Sequence, residues 1–179
     1  QKVKLPPAYI VNIEDLPVPN RNYISHINYK SIIGVSNKLA TMLSSRGCPY
    51  KCTFCDIPFK EHRRRSPKSI VDEMQLCIEM GYDEIHFYDD LFNITPKRLV
   101  EICDEIDDRG VKVKWDFRGR VNGTSYESLR RFKNSGGRMI SFGIETATDE
   151  GLKVLRKGSK VKENAQALKW SVNWVSYLL

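Results

Sequence analysis

Leu39-Ala40-Thr41-Met42-Leu43-Ser44-Ser45-Arg46-Gly47-Cys48-Pro49-Tyr50-Lys51-Cys52-Thr53-Phe54-Cys55 runs a short apolar strand directly into a loop that places three cysteines within eight residues. Strand followed at once by a chemically loaded loop is the arrangement of α/β folds. There, functional groups collect beyond the carboxyl ends of parallel strands. The sequence downstream of the loop repeats the scheme.

Ser66-Pro67 opens a helix, with Ser66 as cap and Pro67 at the first helical position. Ile70, Met74, Cys77 and Ile78 share one face of it, and Gly81 stops it. Residues 84–88 form a compact strand ending in Asp89-Asp90, and Thr95-Pro96 opens a second helix by the same chemistry. Leu99, Ile102, Cys103 and Ile106 are its buried stripe, and Gly110 ends it. A third strand is expected at 111–117, with Thr124 and Glu127 as a capping box for a helix ending at Gly136. The fourth unit is a strand at 139–145 and a helix at 149–157, stopped by Gly158. A last helical stretch near 162–170 leads into apolar residues 172–179. Strands alternating with helices imply a parallel sheet with right-handed crossovers, here curved and barrel-like. The cysteine loop, Asp89-Asp90, Arg118 with Arg120, and Glu145 then converge on one mouth.

At 179 residues, 41% hydrophobic and 28% charged, the chain fits one soluble domain with a real core. It has no apolar run long enough for a transmembrane helix and no secretory signal. Residues 1–37 are irregular, broken by Pro6, Pro7, Pro17 and Pro19, and read as a lead-in; residues 38–179 are the core. The net charge of +7 is densest at 60–68, where Arg63, Arg64 and Arg65 are first expected to be a solvated loop. An anionic substrate or cofactor phosphate is the second expectation there, and RNA the third. Of the histidines, His86 is expected to pack in mid-strand, and His26 and His62 to be exposed, with His62 close to the cysteines. Five cysteines, three of them clustered, argue for a metal in a reducing compartment, hence the cytoplasm, rather than a disulfide framework.

Cys48, Cys52 and Cys55 follow C-x3-C-x2-C. Thiolates suit iron–sulfur clusters and zinc. A four-iron cluster held by three cysteines keeps one iron open for another ligand. Structural zinc wants four closed ligands, commonly paired as C-x2-C. Asp56 or His62 could complete such a set, whereas Cys77 and Cys103 lie in apolar stripes. The spacing favours the cluster.

Ser45-Arg46-Gly47-Cys48-Pro49-Tyr50-Lys51-Cys52-Thr53-Phe54-Cys55 resembles the signature of the radical S-adenosylmethionine superfamily, with an aromatic residue before the third cysteine. The resemblance covers roughly residues 35–170. It implies a partial (βα) barrel of that type, here about four strand–helix units of the family's six, and so a chain incomplete at its C-terminus. It also implies a 4Fe-4S cluster on Cys48, Cys52 and Cys55. S-adenosylmethionine would chelate the open iron and be cleaved reductively to a 5′-deoxyadenosyl radical. An electron donor such as flavodoxin or ferredoxin is then expected.

Position by position, Asp90 falls where the family has an acidic residue that contacts the methionyl amino group, although the two preceding glycines are absent; Asp89 is its neighbour. Glu145 matches the family's ribose-binding Glu, with Gly143 making room. Phe54 is placed near adenine, and Arg120 is a candidate for the cofactor carboxylate. The Asp-Asp-x-Phe version is similar to enzymes with a cobalamin-binding domain before the radical domain, and to anaerobic ring cyclases. Cobalamin is then expected through a domain outside this chain, with residues 1–37 as the link. The substrate, small molecule or macromolecule, is left open. Two alternatives stand beside this reading. One is a methylthiotransferase acting on RNA, which normally carries more upstream cysteines and an RNA-binding tail. The other is a non-catalytic zinc-binding module. The strand at 139–145 is expected to leave an open edge, shielded only by apolar residues of 172–179.

Overall fold

The computed structural model of the chain describes residues 12–27, 29–32 and 34–172. Its sheet is built from β1 (Leu39–Met42), β4 (Glu84–Phe87), β5 (Lys114–Gly119) and β6 (Gly137–Phe142), in that order and all parallel. Helices α1 (Pro67–Glu79), α2 (Pro96–Asp108) and α3 (Tyr126–Asn134) make the crossovers. Two further helices, α4 (Asp149–Val154) and α5 (Val161–Val172), follow β6. The expected α/β architecture, a curved parallel sheet of four strand–helix units, is what the chain adopts.

The crossover helices start where the sequence says they should. Ser66 and Thr95 accept hydrogen bonds from Ser69 N and Arg98 N, with Pro67 and Pro96 behind them. The third cap differs by one residue. Ser125, not Thr124, caps α3, because Ser128 Oγ returns to the Ser125 N–H and closes the box, while Glu127 pairs with Arg130. Thr124 Oγ bonds Val121 O instead, ending a preceding single turn. The strand expected at 111–117 lies at Lys114–Gly119, and that expected at 139–145 lies at Gly137–Phe142.

Strand residues alternate between the two faces of the sheet. Ile85, Phe87, Trp115 and Phe117 enter the helix-covered core with Met74, Leu99, Ile102 and Phe132. Aromatic packing is dense there: Phe92 lies 4.5 Å from Phe117 and Trp115 lies 4.6 Å edge-on from Phe132. Such pairs contribute about 0.5–1.5 kcal/mol each beyond burial. Cys77 and Cys103 belong to this core.

The opposite, inner face carries an ionic network. His86 Nε2 lies 2.9 Å from Asp116 Oδ2 and 3.2 Å from Glu84 Oε1. A register shift between Trp115 and Asp116 leaves Arg138 as the extra residue of a bulge, and Arg138 Nη2 reaches Asp116 Oδ2 at 2.8 Å. Arg138 Nε sits 2.8 Å from Glu84 Oε1, close in charge although its N–H is not aimed at it. His86 is therefore an ionic partner and not the packing residue its mid-strand position suggests.

The basic run is also more structured than a solvated loop. β2 (Ser45–Arg46) pairs antiparallel with β3 (Arg63–Arg64), and Arg65 forms an ion pair with buried Glu73. His62 is half-buried, with Nε2 2.9 Å from Leu91 O, and burial lowers its pKa. The lead-in is held to the core where it is described: Arg21 Nη2 bonds Thr41 O at 2.9 Å and Glu73 at 2.5 Å. β6 pairs with β5 alone among the described residues. Trp174, Val175, Tyr177, Leu178 and Leu179, expected to shield its edge, lie outside them. No helix among the described residues is long and apolar enough to cross a membrane.

Candidate active site

The β2–β3 hairpin closes the cysteine loop at its base. Gly47 enters the loop with φ +86°, and a Cβ there would meet Glu61 O at 2.1 Å, so the turn requires glycine. Cys48 N then bonds Phe59 O at 3.0 Å, Cys55 N bonds Cys52 O at 3.2 Å, and Thr53 N reaches across to Leu155 O at 3.1 Å. These bonds tie the loop to its own far side and to the segment after α4.

A cavity of about 320 Å³ opens at the carboxyl ends of the strands, lined by Cys48, Cys52 and Cys55 with Phe54, Asp90 and Arg120. Arg118, Gly143 and Lys157 complete its polar and small-residue wall. Burial pushes the Cys48 thiol pKa up. The Arg120 charge pulls it the other way but does not outweigh burial.

Asp90, exposed, accepts the Gly47 N–H at 2.8 Å through Oδ2, so its other oxygen is available to a ligand. Asp89 sits elsewhere: it is buried beneath the loop, its carboxylate held by Ser44 N at 2.7 Å, by Ser44 Oγ and by Ser45 Oγ at 2.6 Å. Burial raises its pKa against the pull of those donors. Glu145 follows β6 with a left-handed backbone, φ 67°, uncommon for a non-glycine residue. Its Oε1 accepts from Lys157 Nζ at 2.9 Å, and both atoms lie over Gly143, where a Cβ would come within 3 Å of each. Glu145 thus stands beside the cavity wall, joined to it through Lys157. Phe54 is 53% exposed at the mouth, with Lys157 Nζ 5.6 Å from its ring centre.

Arg120 is 7% exposed. Its guanidinium lies 3.8 Å over the Tyr50 ring, and Nη1 is 3.4 Å from Cys52 Sγ. Buried Asn93 fixes its backbone, accepting Arg120 N at 3.0 Å and donating to Arg120 O at 2.8 Å. Asn93 and Lys157 are the residues that sequence reasoning missed. Asn93 carries no motif, and Lys157 appears in the sequence only as the last residue before a helix-stopping glycine.

The donor set suits a multi-iron group better than one ion. Zinc–sulfur bonds of about 2.3 Å place tetrahedral sulfurs about 3.8 Å apart. Among the described residues, the only trio of ligand atoms all within 4.8 Å of one another is that of Glu84, His86 and Asp116. The three cysteine sulfurs do not form such a trio.

The sequence model of the Radical SAM superfamily matches residues 42–173. The chain is 30% identical over 168 residues to an uncharacterized methyltransferase of Pyrococcus horikoshii, covering 92% of this chain and 36% of that protein. It is 34% identical over 154 residues to the anaerobic magnesium-protoporphyrin IX monomethyl ester cyclase of Cereibacter sphaeroides, covering 80% of this chain and 25% of that one. The solved structure of the apo cobalamin-dependent S-adenosylmethionine radical enzyme OxsB superposes with a TM-score of 0.74. That likeness covers 94% of this chain and 26% of the other at 23% identity, and is one of fold. The chain therefore spans about a third and a quarter of the length of the two sequence relatives.

Proposed function

The chain belongs to the radical SAM superfamily, and from that premise we propose that it holds a 4Fe-4S cluster on Cys48, Cys52 and Cys55 and uses it on S-adenosylmethionine. The observation that carries this is the single cavity shared by the three sulfurs, Asp90 and Arg120 at the carboxyl ends of parallel strands. When bound, the reduced cluster supplies the electron that splits the sulfonium into methionine and a 5′-deoxyadenosyl radical. This chain's residues bind and orient. Asp90 accepts from the methionyl ammonium with the oxygen that Gly47 leaves free. Arg120 offers unspent donors to the carboxylate. Glu145, held by Lys157, accepts from the ribose hydroxyls, and Phe54 covers the adenine. Asp89 acts from beneath, fixing Ser44 and Ser45 at the start of the loop.

The reaction we propose for the whole protein is methyl transfer or ring closure on an organic substrate, as the names of the two sequence relatives suggest. Cobalamin would come from a domain outside this chain, and the electron from a flavodoxin- or ferredoxin-type donor. The site of action is the cytoplasm, where thiols stay reduced.

Anaerobic reconstitution followed by iron and labile sulfide analysis tests the cluster. Replacing Cys48, Cys52 or Cys55 with Ala should abolish it. Cys77→Ala and Cys103→Ala should not, because burial holds those thiols protonated, with pKa values of about 11 and about 12. A full iron complement in Cys52→Ala protein would overturn the assignment.

A further inference from the structure

Of the three cations lining the cavity, two are engaged away from the sulfurs. Lys157 is tied to Glu145 at 2.9 Å, and the Arg118 guanidinium lies 4.8 Å over the Tyr88 ring. Arg120 differs. Its guanidinium is buried, stacked on Tyr50 and 3.4 Å from Cys52 Sγ, and its Nε and Nη2 donors have no partner among the described residues. Tyr50 lies between Cys48 and Cys52, so the ring that supports the guanidinium belongs to the cysteine loop itself. A cation with two unspent donors is costly to bury unless negative charge is to be placed beside it.

We infer that Arg120, propped on Tyr50, does more than offer donors to the cofactor carboxylate: it raises the reduction potential of the cluster through its charge and its N–H bond to Cys52. Potentials of such clusters respond to net charge, to hydrogen bonds on the sulfurs and to solvent exposure. One-electron reduction makes the cluster more negative, so a buried cation at hydrogen-bond distance from a ligand sulfur favours the reduced form. Low exposure keeps water from screening the effect. Asn93 makes the placement rigid by gripping both the N–H and the carbonyl of Arg120.

The inference rests on the cluster reading, and its test separates the two. The cluster-loaded chain, free of S-adenosylmethionine, is titrated potentiometrically under anaerobic conditions, with the reduced cluster followed by electron paramagnetic resonance. Arg120→Gln should shift the midpoint negative, so that the reduced-to-oxidised ratio at a fixed potential falls about tenfold, equivalent to about 59 mV for one electron. Arg120→Lys, which keeps the charge without the stacked planar fork, should fall between the two. Tyr50→Leu should shift in the same direction by less. A wild-type chain without a cluster would refute the cluster reading. A full cluster whose midpoint does not move in Arg120→Gln, or moves positive, would refute this inference alone. If Arg120→Gln holds no iron, unshifted midpoints in both Arg120→Lys and Tyr50→Leu would overturn it, and negative shifts in both would support it.

Discussion

Replacing Asn93 with Ala should cost about 1.5–4.5 kcal/mol of folding free energy. Asn93 is completely buried between Gly119 and Gly123, where a Cβ would come within 2.1 Å of Asn93 Oδ1 and 1.6 Å of Asn93 O respectively. Its carboxamide accepts Arg120 N at 3.0 Å and donates to Arg120 O at 2.8 Å. The carbonyl keeps a second partner, Gly123 N at 3.1 Å, so its loss is one ordinary hydrogen bond, about 0.5–1.5 kcal/mol. The Arg120 N–H is left with none, which costs about 1–3 kcal/mol. Those two losses make up the estimate, and they are a large part of the roughly 5–15 kcal/mol that holds a domain folded. Urea unfolding of the two proteins at matched slope measures the difference. Asn93→Asp is the informative companion: it retains the acceptor but cannot donate, and it buries a charge, so it should not rescue. A change below about 1 kcal/mol in Asn93→Ala would mean that the carboxamide is not what secures the end of β5.

Two further perturbations test the inner face and the lead-in. For His86, burial acts to lower the pKa, but hydrogen bonds and charge from Asp116 and Glu84 outweigh it, and the net direction is upward. The stability this contributes is complete below the unfolded-state value of about 6.5 and is lost as pH rises through the higher folded value. Between about pH 6 and 7.5 His62, whose pKa burial lowers, contributes with the opposite sign. The His86 part is therefore read as the difference in denaturant midpoint between wild type and His86→Gln: the stability lost in the variant should shrink as pH rises. A wild-type-minus-variant difference that grows with pH over that window contradicts the assignment. Glu73, 2% exposed, is shared by Arg21 and Arg65. Glu73→Ala leaves both cations uncompensated and should destabilise by about 3–5 kcal/mol, with faster proteolysis of the lead-in. Unaltered cleavage there would show that Arg21 does not anchor it.

Much of the fold was legible because local chemistry and global architecture agree. Ser66-Pro67 and Thr95-Pro96 name their helix starts, and the apolar stripes of α1 and α2 occupy the core as their spacing requires. The α3 cap was misread because Thr124 and Ser125 are both competent caps. Only the return bond from Ser128 decides between them. His86 was misread for a different reason: its partner Asp116 lies 30 residues away and meets it only through the register of the parallel sheet, and Arg138, which shares the Asp116 carboxylate, comes in only through the β6 bulge.

The site divides along the same line. The sequence by itself singled out the three cysteines, because ligand type and close spacing are properties of the chain, and it offered Asp89, Asp90 and Glu145 through their resemblance to the family's positions. It also determined that they share the carboxyl ends of strands, because a strand–helix repeat leaves few topologies open. Tertiary structure alone decided which of those groups face the cavity. Asp89 and Asp90 are adjacent, yet one is consumed by Ser44 and Ser45 and the other opens beside the sulfurs. It alone brought Asn93, Arg120 and Tyr50 together and set Lys157 on Glu145. The reason is physical: a side chain's partners across a parallel sheet are fixed by register and crossover length, and neither is encoded near the residue itself.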